Sequence, residues 1–169
     1  MRNTVDTTLF YPAERKDQEF TFIHVSMMQP LKNVKGILDA MVLLHQQNQL
    51  CRLVLVGPVP ADLLSYATQN ELASYVEWAG ALSYAQVAAR MRTAHALVHF
   101  SYYENLPCVV NEALCCGLPV ISSDVGGVAE LVHSGNGQLV APGNVETLAA
   151  AMKQLILNYA NYNANKIAA

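Results

Sequence analysis

Apolar residues recur along this chain in two alternating rhythms. Short runs rich in Val, Ile, Leu and aromatic residues stand at Phe20–Val25, Arg52–Val56, Tyr75–Ala79, His95–Phe100, Pro119–Ser122 and Gln138–Ala141. Such runs predict strands buried on both faces, as in a parallel sheet. Between them the apolar spacing lengthens to that of a helix. Ile37, Met41 and Leu44 share one face, as do Tyr84, Val87, Ala88 and Met91, and later Leu148, Met152, Leu155 and Ile156. Ser83, followed by Gln86, predicts a capping box at the start of the second of these helices. Residues 1–19 carry little periodicity, and those after about 158 read as a frayed end.

Strand–helix alternation builds parallel βαβ units with right-handed crossovers. The expected fold is therefore α/β: a doubly wound, Rossmann-like, parallel six-stranded sheet in the order 3-2-1-4-5-6. Residues 20–158 form its single domain, with 1–19 leading in and 159–169 as a tail. In that order the first and fourth strands are neighbours where the winding reverses. Ligands of open α/β sheets bind beyond the carboxyl ends of the strands at such a point. Ser26–Lys35 and Ser101–Pro107 are the two loops that meet there.

A length of 169 residues suits one domain. With 53% hydrophobic residues, 14% charged residues and a net charge of -3, the chain is neither disordered nor a dedicated nucleic-acid binder. No apolar run approaches the roughly 20 residues that cross a bilayer, and the first residues lack the features of a secretory signal. Cys51, Cys108, Cys115 and Cys116 have no CxxC spacing and read as small apolar residues in a reducing, cytoplasmic setting.

Chemistry concentrates at the two loops. Pro107 is expected to open a helix over Cys108–Cys116, with Gly117 as its stop. The first-turn amides of Cys108 and Val109 then lack intrahelical acceptors and form an anion site. Glu104 stands just before that helix and Glu112 within it. Carboxylates beside an anion site suit a ligand carrying both phosphates and hydroxyls, such as a nucleotide sugar. In the opposite loop Lys32 or Lys35 offers a cation to the phosphates. Gly126-Gly127 reads either as a second anion nest or as a tight strand-to-helix turn. His95 and His99 on one strand would stand roughly 13 Å apart, too far to share a metal ion, and read as core or edge histidines. Neither a DxD-like pair nor a G-x-G-x-x-G loop is present.

At these residues the chain resembles the C-terminal, donor-binding domain of a family 4 (group 1) glycosyltransferase of the GT-B fold. The resemblance runs from Asn3-Thr4-Val5-Asp6 through Leu53–Gly57 and Val76–Gly80. It continues through Glu104-Asn105-Leu106-Pro107-Cys108-Val109-Val110-Asn111-Glu112, similar to an E-x7-E motif, to Gly126-Gly127 and Gly137–Val140. It implies one half of a GT-B fold that binds a UDP- or GDP-sugar and transfers a hexosyl group with retention, without a metal or other cofactor. Carried over, Glu104 is the catalytic carboxylate at the transferred sugar. Glu112 bonds the ribose, and Asn105, Leu106, Cys108 and Val109 hold the donor. Lys32 rather than Lys35 matches the phosphate lysine, because Lys32 to Ala40 keep the K-G-x-x-x-L-x-x-A register. Trp78–Leu82 would lie near the base. Three positions depart from the family pattern: Met27 stands for an arginine, Asn33 for a glycine and Pro107 for a glycine.

The resemblance further implies an N-terminal acceptor-binding domain outside this chain, without which the isolated domain should not transfer sugar efficiently. It implies a glycan or lipid-linked acceptor, a cytoplasmic setting, and room for peripheral contact of a full-length enzyme with the inner membrane face. Two other readings stay open: a sugar-nucleotide epimerase of the same architecture, and a non-catalytic nucleotide-sugar-binding or interaction module.

Overall fold

The structure, a computed structural model, describes residues 4–169; Asn3 of the leading motif lies outside the described residues. The strands are β1 (Thr21–Val25), β2 (Arg52–Val56), β3 (Val76–Gly80), β4 (Ala96–His99), β5 (Val120–Ser123) and β6 (Gly137–Val140). They form one six-stranded sheet in the order β3-β2-β1-β4-β5-β6, and every adjacent pair is parallel. The expected architecture and strand order hold. Strand ends shift slightly from the apolar runs. Pro119, for example, accepts from the Leu97 amide but has no N–H to give, so β5 starts at Val120.

The helices are α1 (Val34–Gln46), α2 (Ala61–Gln69), α3 (Tyr84–Thr93), α4 (Cys108–Cys115), α5 (Val145–Leu157) and α6 (Ala164–Ala168). Alternation along the strands feeds two cores. Phe22, Leu53, Leu55, Val98 and Ile121 face Ile37, Met41, Leu44, Leu148 and Met152 of α1 and α5. Ile23, Val54, Val56, Leu97 and Val120 face Val87, Met91, Val110 and Ala113 of α3 and α4. The capping box at Ser83 and Gln86 is formed. Helix α2 has no counterpart among the helices expected from periodicity; its short apolar face of Leu63, Tyr66 and Ala67 packs on the core, but only Ala67 of it is fully buried.

Both ends of the chain pack against the domain despite their lack of periodicity. Phe10 of the leading segment is buried against Tyr84, with ring centroids 4.9 Å apart. Arg92 of α3 donates to the Leu9 carbonyl, and Lys16 donates to that of Arg92. The segment is therefore strapped along α3. Nor does the tail fray: Tyr159 sits edge-on to Phe20 and His95. The backbone of α6 lies so near Gly117 that a Cβ there would stand 2.6 Å from the Ala164 carbonyl. Pro107 is the N-cap of α4 rather than its first residue, and that helix ends at Cys115, with Gly117 (φ +71°) turning the chain beyond it.

Candidate functional site

Beyond Ile23 and Leu97 the β1–β4 ladder stops, and side chains fill the place where the two strands part. His24 donates from Nδ1 to the Val98 carbonyl at 2.9 Å. Its Nε2 therefore accepts from the Ser26 hydroxyl, 2.8 Å away. Burial foremost, and the neighbouring His99 next, push the His24 pKa down to about 3, so the ring is neutral at physiological pH. The Ser26 hydroxyl also accepts from the Met28 amide, which holds buried Met28 at a φ of 55°.

A 3-10 turn over Pro30–Lys32 leads into α1. Asn33 joins them with a φ of 47° and a ψ of 45°, and its side chain caps α1 by accepting from the Gly36 amide. Here the departure from glycine has a local explanation: asparagine is tolerated in the left-handed region and also serves as a cap. The turn delivers Lys32 back across the sheet, and the Tyr102 amide donates to the Leu31 carbonyl, stapling the two loops together.

The Lys32 ammonium lies 2.5 Å from Oε1 of Glu104. His99 Nε2 donates to the same oxygen at 2.8 Å. Lysine and glutamate, taken from opposite loops, thus meet directly at the carboxyl ends of β1 and β4. Their side chains are 23% and 10% exposed, so the pair is shielded on the glutamate side and open on the lysine side. Burial would raise the Glu104 carboxyl, but hydrogen bonds from His99, Lys32 and Ser101 override it and hold the pKa at about 2. Glu104 is an anion at every physiological pH.

The glycine pair serves this loop rather than forming a free nest. The Gly127 amide donates to the Asn105 carbonyl at 2.7 Å. Gly126, at a φ of 55°, approaches so closely that a Cβ would stand 1.8 Å from the Glu104 carbonyl. The tight-turn reading is therefore the correct one. Of the remaining candidates, Asn105 is exposed and accepts from the Tyr103 hydroxyl, and Leu106 is half-buried. Cys108 and Val109 open α4, and neither amide donates to an acceptor among the described residues. Glu112, about one turn on, is not among the partners of the Lys32–Glu104 pair. It bonds the Tyr84 hydroxyl at the start of α3, and burial raises its pKa against that bond.

Lys35 points elsewhere, pairing with Asp39 at 3.0 Å and lying over the Tyr66 ring. Trp78–Leu82 runs along the carboxyl end of β3, mostly half-buried. Met27 is 68% exposed on the β1 loop. All four cysteines are free, and no grouping of three His, Cys, Asp or Glu side chains suited to a metal occurs among the described residues. Nor does any helix among them have the length and apolarity to cross a membrane. A polar cleft of about 400 Å³ opens at the other, amino end of the strands. Four of its charges pair off, Arg52 with Glu19 at 3.2 Å and Arg90 with Glu77 at 2.6 Å.

Sequence reasoning read His99 as a core or edge histidine; it is buried, but its contact with Glu104 was missed. The signal was present in the alternation of β4, where a polar residue at the last strand position shares a side with the loop that follows. What was missing was the curl of that loop, which returns Glu104 to the imidazole.

The family model described as glycosyl transferases group 1 matches residues 6–169. Glycogen synthase of Mycobacterium tuberculosis (strain CDC 1551 / Oshkosh) is 26% identical over 161 residues, covering 92% of this chain and 39% of the relative. The sucrose-phosphate synthase structure from Thermosynechococcus elongatus superposes with a TM-score of 0.86 at 25% identity, covering 97% of this chain and 45% of that one. That of Anabaena Alr3699/HepE in complex with UDP-glucose does so with a TM-score of 0.85 at 24% identity, covering 98% and 49%. The chain thus spans less than half the length of each of these proteins.

Proposed function

The chain belongs to the group 1 glycosyl transferases, and from that premise we propose that it is the nucleoside-diphosphate-sugar-binding domain of a retaining, family 4, hexosyl-transferring enzyme. The observation that carries this reading is the pairing of Lys32 with Glu104 at 2.5 Å beside the start of α4. An ammonium, two helix amides with no acceptor among the described residues and an ionised carboxylate lie at the switch point of the sheet, where phosphates and sugar hydroxyls find complementary partners together.

In this reading the diphosphate lies against the amides of Cys108 and Val109 and draws on Lys32. Asn105 and Leu106 border it, Glu112 takes the ribose hydroxyls and Trp78–Leu82 lies near the base. Glu104 faces the transferred sugar. As the glycosidic bond breaks, negative charge grows on the departing diphosphate. Lys32 and the α4 amides stabilise that charge, and no metal is assigned to the task. The UDP-glucose complex of the Anabaena neighbour supports a uridine nucleotide as the first ligand to try. The acceptor, a glycan or lipid-linked sugar, would be held by a domain outside this chain, and transfer in the cytoplasm is proposed for the complete enzyme. Exposed Met27, where the family pattern has an arginine, favours a second reading as a nucleotide-sugar-binding module without catalysis.

Calorimetric titration with UDP and GDP tests the binding claim. Wild type should give saturable heat with one of them. Lys32→Ala should weaken it by about 1–3 kcal/mol, the range for losing a charged hydrogen-bond partner, and Glu112→Ala should weaken it through the ribose. Absence of heat with either nucleotide, or an unchanged Lys32→Ala protein, would refute the donor site. Sugar transfer by the full-length protein separates the enzyme from the module.

A further inference from the structure

Besides the Ser101 hydroxyl, Glu104 has two partners on Oε1, and they differ in kind. Lys32 reaches Oε1 from a surface turn on a flexible side chain that is 23% exposed. His99 reaches the same atom from the last residue of β4, with only 1% of its side chain exposed. The ring is boxed in. His24 of β1 lies roughly parallel to it, with centroids 6.3 Å apart and planes at 20°. The Ser101 hydroxyl stands 3.3 Å from its Nε2. The other nitrogen of His99, Nδ1, is buried with no partner among the described residues. Every polar bond given for this ring is thus made through the nitrogen that faces Glu104 and Ser101.

We propose that His99 is a positioning residue that keeps Glu104 in place and ionised when Lys32 turns from the carboxylate to the diphosphate of the donor. The inference rests on the reading of this site as a donor site and adds a residue to it. A diphosphate arriving at α4 competes for the Lys32 ammonium. Were Lys32 the sole partner, its departure would leave a shielded carboxylate unpaired, a costly state that drives a carboxyl to protonate or swing to water. His99 removes that conflict. Its ring is fixed by two torsions and a strand, so its N–H stays on Oε1 while the lysine exchanges partners. The groups that face the ring are His24 from β1, Lys32 from the 3-10 turn, and Ser101 and Glu104 from the loop after β4. His24 donates to the Val98 carbonyl and accepts from Ser26, so its hydrogen-bonding capacity is not available to Glu104.

The test has a ligand-free part and a ligand part. In the ligand-free chain, the Glu104 carboxyl is followed by carbon-13 NMR through an acid titration. In Lys32→Ala it should still titrate below the ordinary 4.5, because His99 remains. Adding His99→Leu should bring it back to that value or above, and His99→Gln, which keeps an N–H in the same region, should lower it again. A Glu104 that already titrates at or above 4.5 in Lys32→Ala overturns the proposal, whether or not the protein binds a nucleotide.

In the ligand part, UDP and UDP-glucose affinities are compared. His99→Leu should lose about tenfold in the preference for UDP-glucose over UDP, the size expected from one charged hydrogen bond. Affinity for UDP should stay within about twofold, and His99→Gln should restore the preference. A purely structural role for His99 would weaken both ligands alike, and that result also overturns the proposal. No binding by the wild type overturns the donor reading, and the ligand-free titration then reports separately on His99, so the two failures are told apart.

Discussion

Replacing Glu104 by glutamine isolates the charge at the centre of this site. The amide oxygen can still accept from Lys32 and His99, so shape and hydrogen-bond count change little. Burial works against the carboxylate, but the bonds from His99, Lys32 and Ser101 carry its pKa from the ordinary 4.5 to about 2. At full strength that shift is worth about 3 kcal/mol. Water reaches Lys32, whose side chain is 23% exposed, and screening reduces the figure to about 1–2 kcal/mol. The sign follows from proton binding. A carboxyl depressed in the folded state binds protons more readily when unfolded. Its contribution is therefore complete above pH 4.5 and is lost as pH falls through about 2. Urea unfolding of wild type and Glu104→Gln, at a series of pH values from neutral to 3.5, measures the difference. At neutral pH the variant should be less stable by about 1–2 kcal/mol with an unchanged m-value, and the gap should narrow as the pH drops below 4.5. A gap that is constant with pH, or a variant more stable than wild type at neutrality, would refute the electrostatic account of the pair.

Gly126→Ala should destabilise the protein by more than about 2 kcal/mol, because its Cβ would meet the Glu104 carbonyl at 1.8 Å on a left-handed backbone; a thermal melt reads this directly. The same substitution should shift the Glu104 and Asn105 amide resonances, since the turn rests on their carbonyls. Met41→Ala should cost about 2–5 kcal/mol in urea unfolding, as a fully buried α1 side chain between two helices and the sheet. Ser83→Ala should cost about 1 kcal/mol through loss of the capping box at α3, and Ser83→Gly only a few tenths.

The sheet and its switch point were legible in the sequence because their causes are periodic and local. Buried parallel strands must be continuously apolar, the helices that cover them must carry a stripe, and Ser83 with Gln86 caps its helix within one turn. The order of the six strands was expected as the commoner one for such a sheet, and the structure has it; the neighbouring loops after β1 and β4 follow from that order. Short or half-buried elements left a weaker trace. Helix α2 buries one alanine fully, while Phe10 and Tyr159 join the cores as single side chains in aperiodic segments.

The site divides in the same way. Glu104 and the α4 start were nameable because each sits at a strand or helix boundary that the pattern marks, whereas the pattern left Lys32 and Lys35 open and the family resemblance chose Lys32. That lysine and glutamate touch, rather than face each other across an open crevice, depends on the left-handed turn at Asn33 and on the amide of Tyr102 held by Leu31. That Gly127 spends its amide on Asn105 instead of on an anion depends on a close approach of two loops. That His99 grips Glu104 depends on a loop that curls back onto the strand it left. Sequence alone therefore determined the layers and the alternation of strand and helix, consequences of burial repeated along the chain, and from the commoner strand order it pointed to the rim where chemistry gathers. The choice of partner at each charged atom was made by distances of a few ångströms between separate loops, which no repeat encodes and only the folded arrangement fixes.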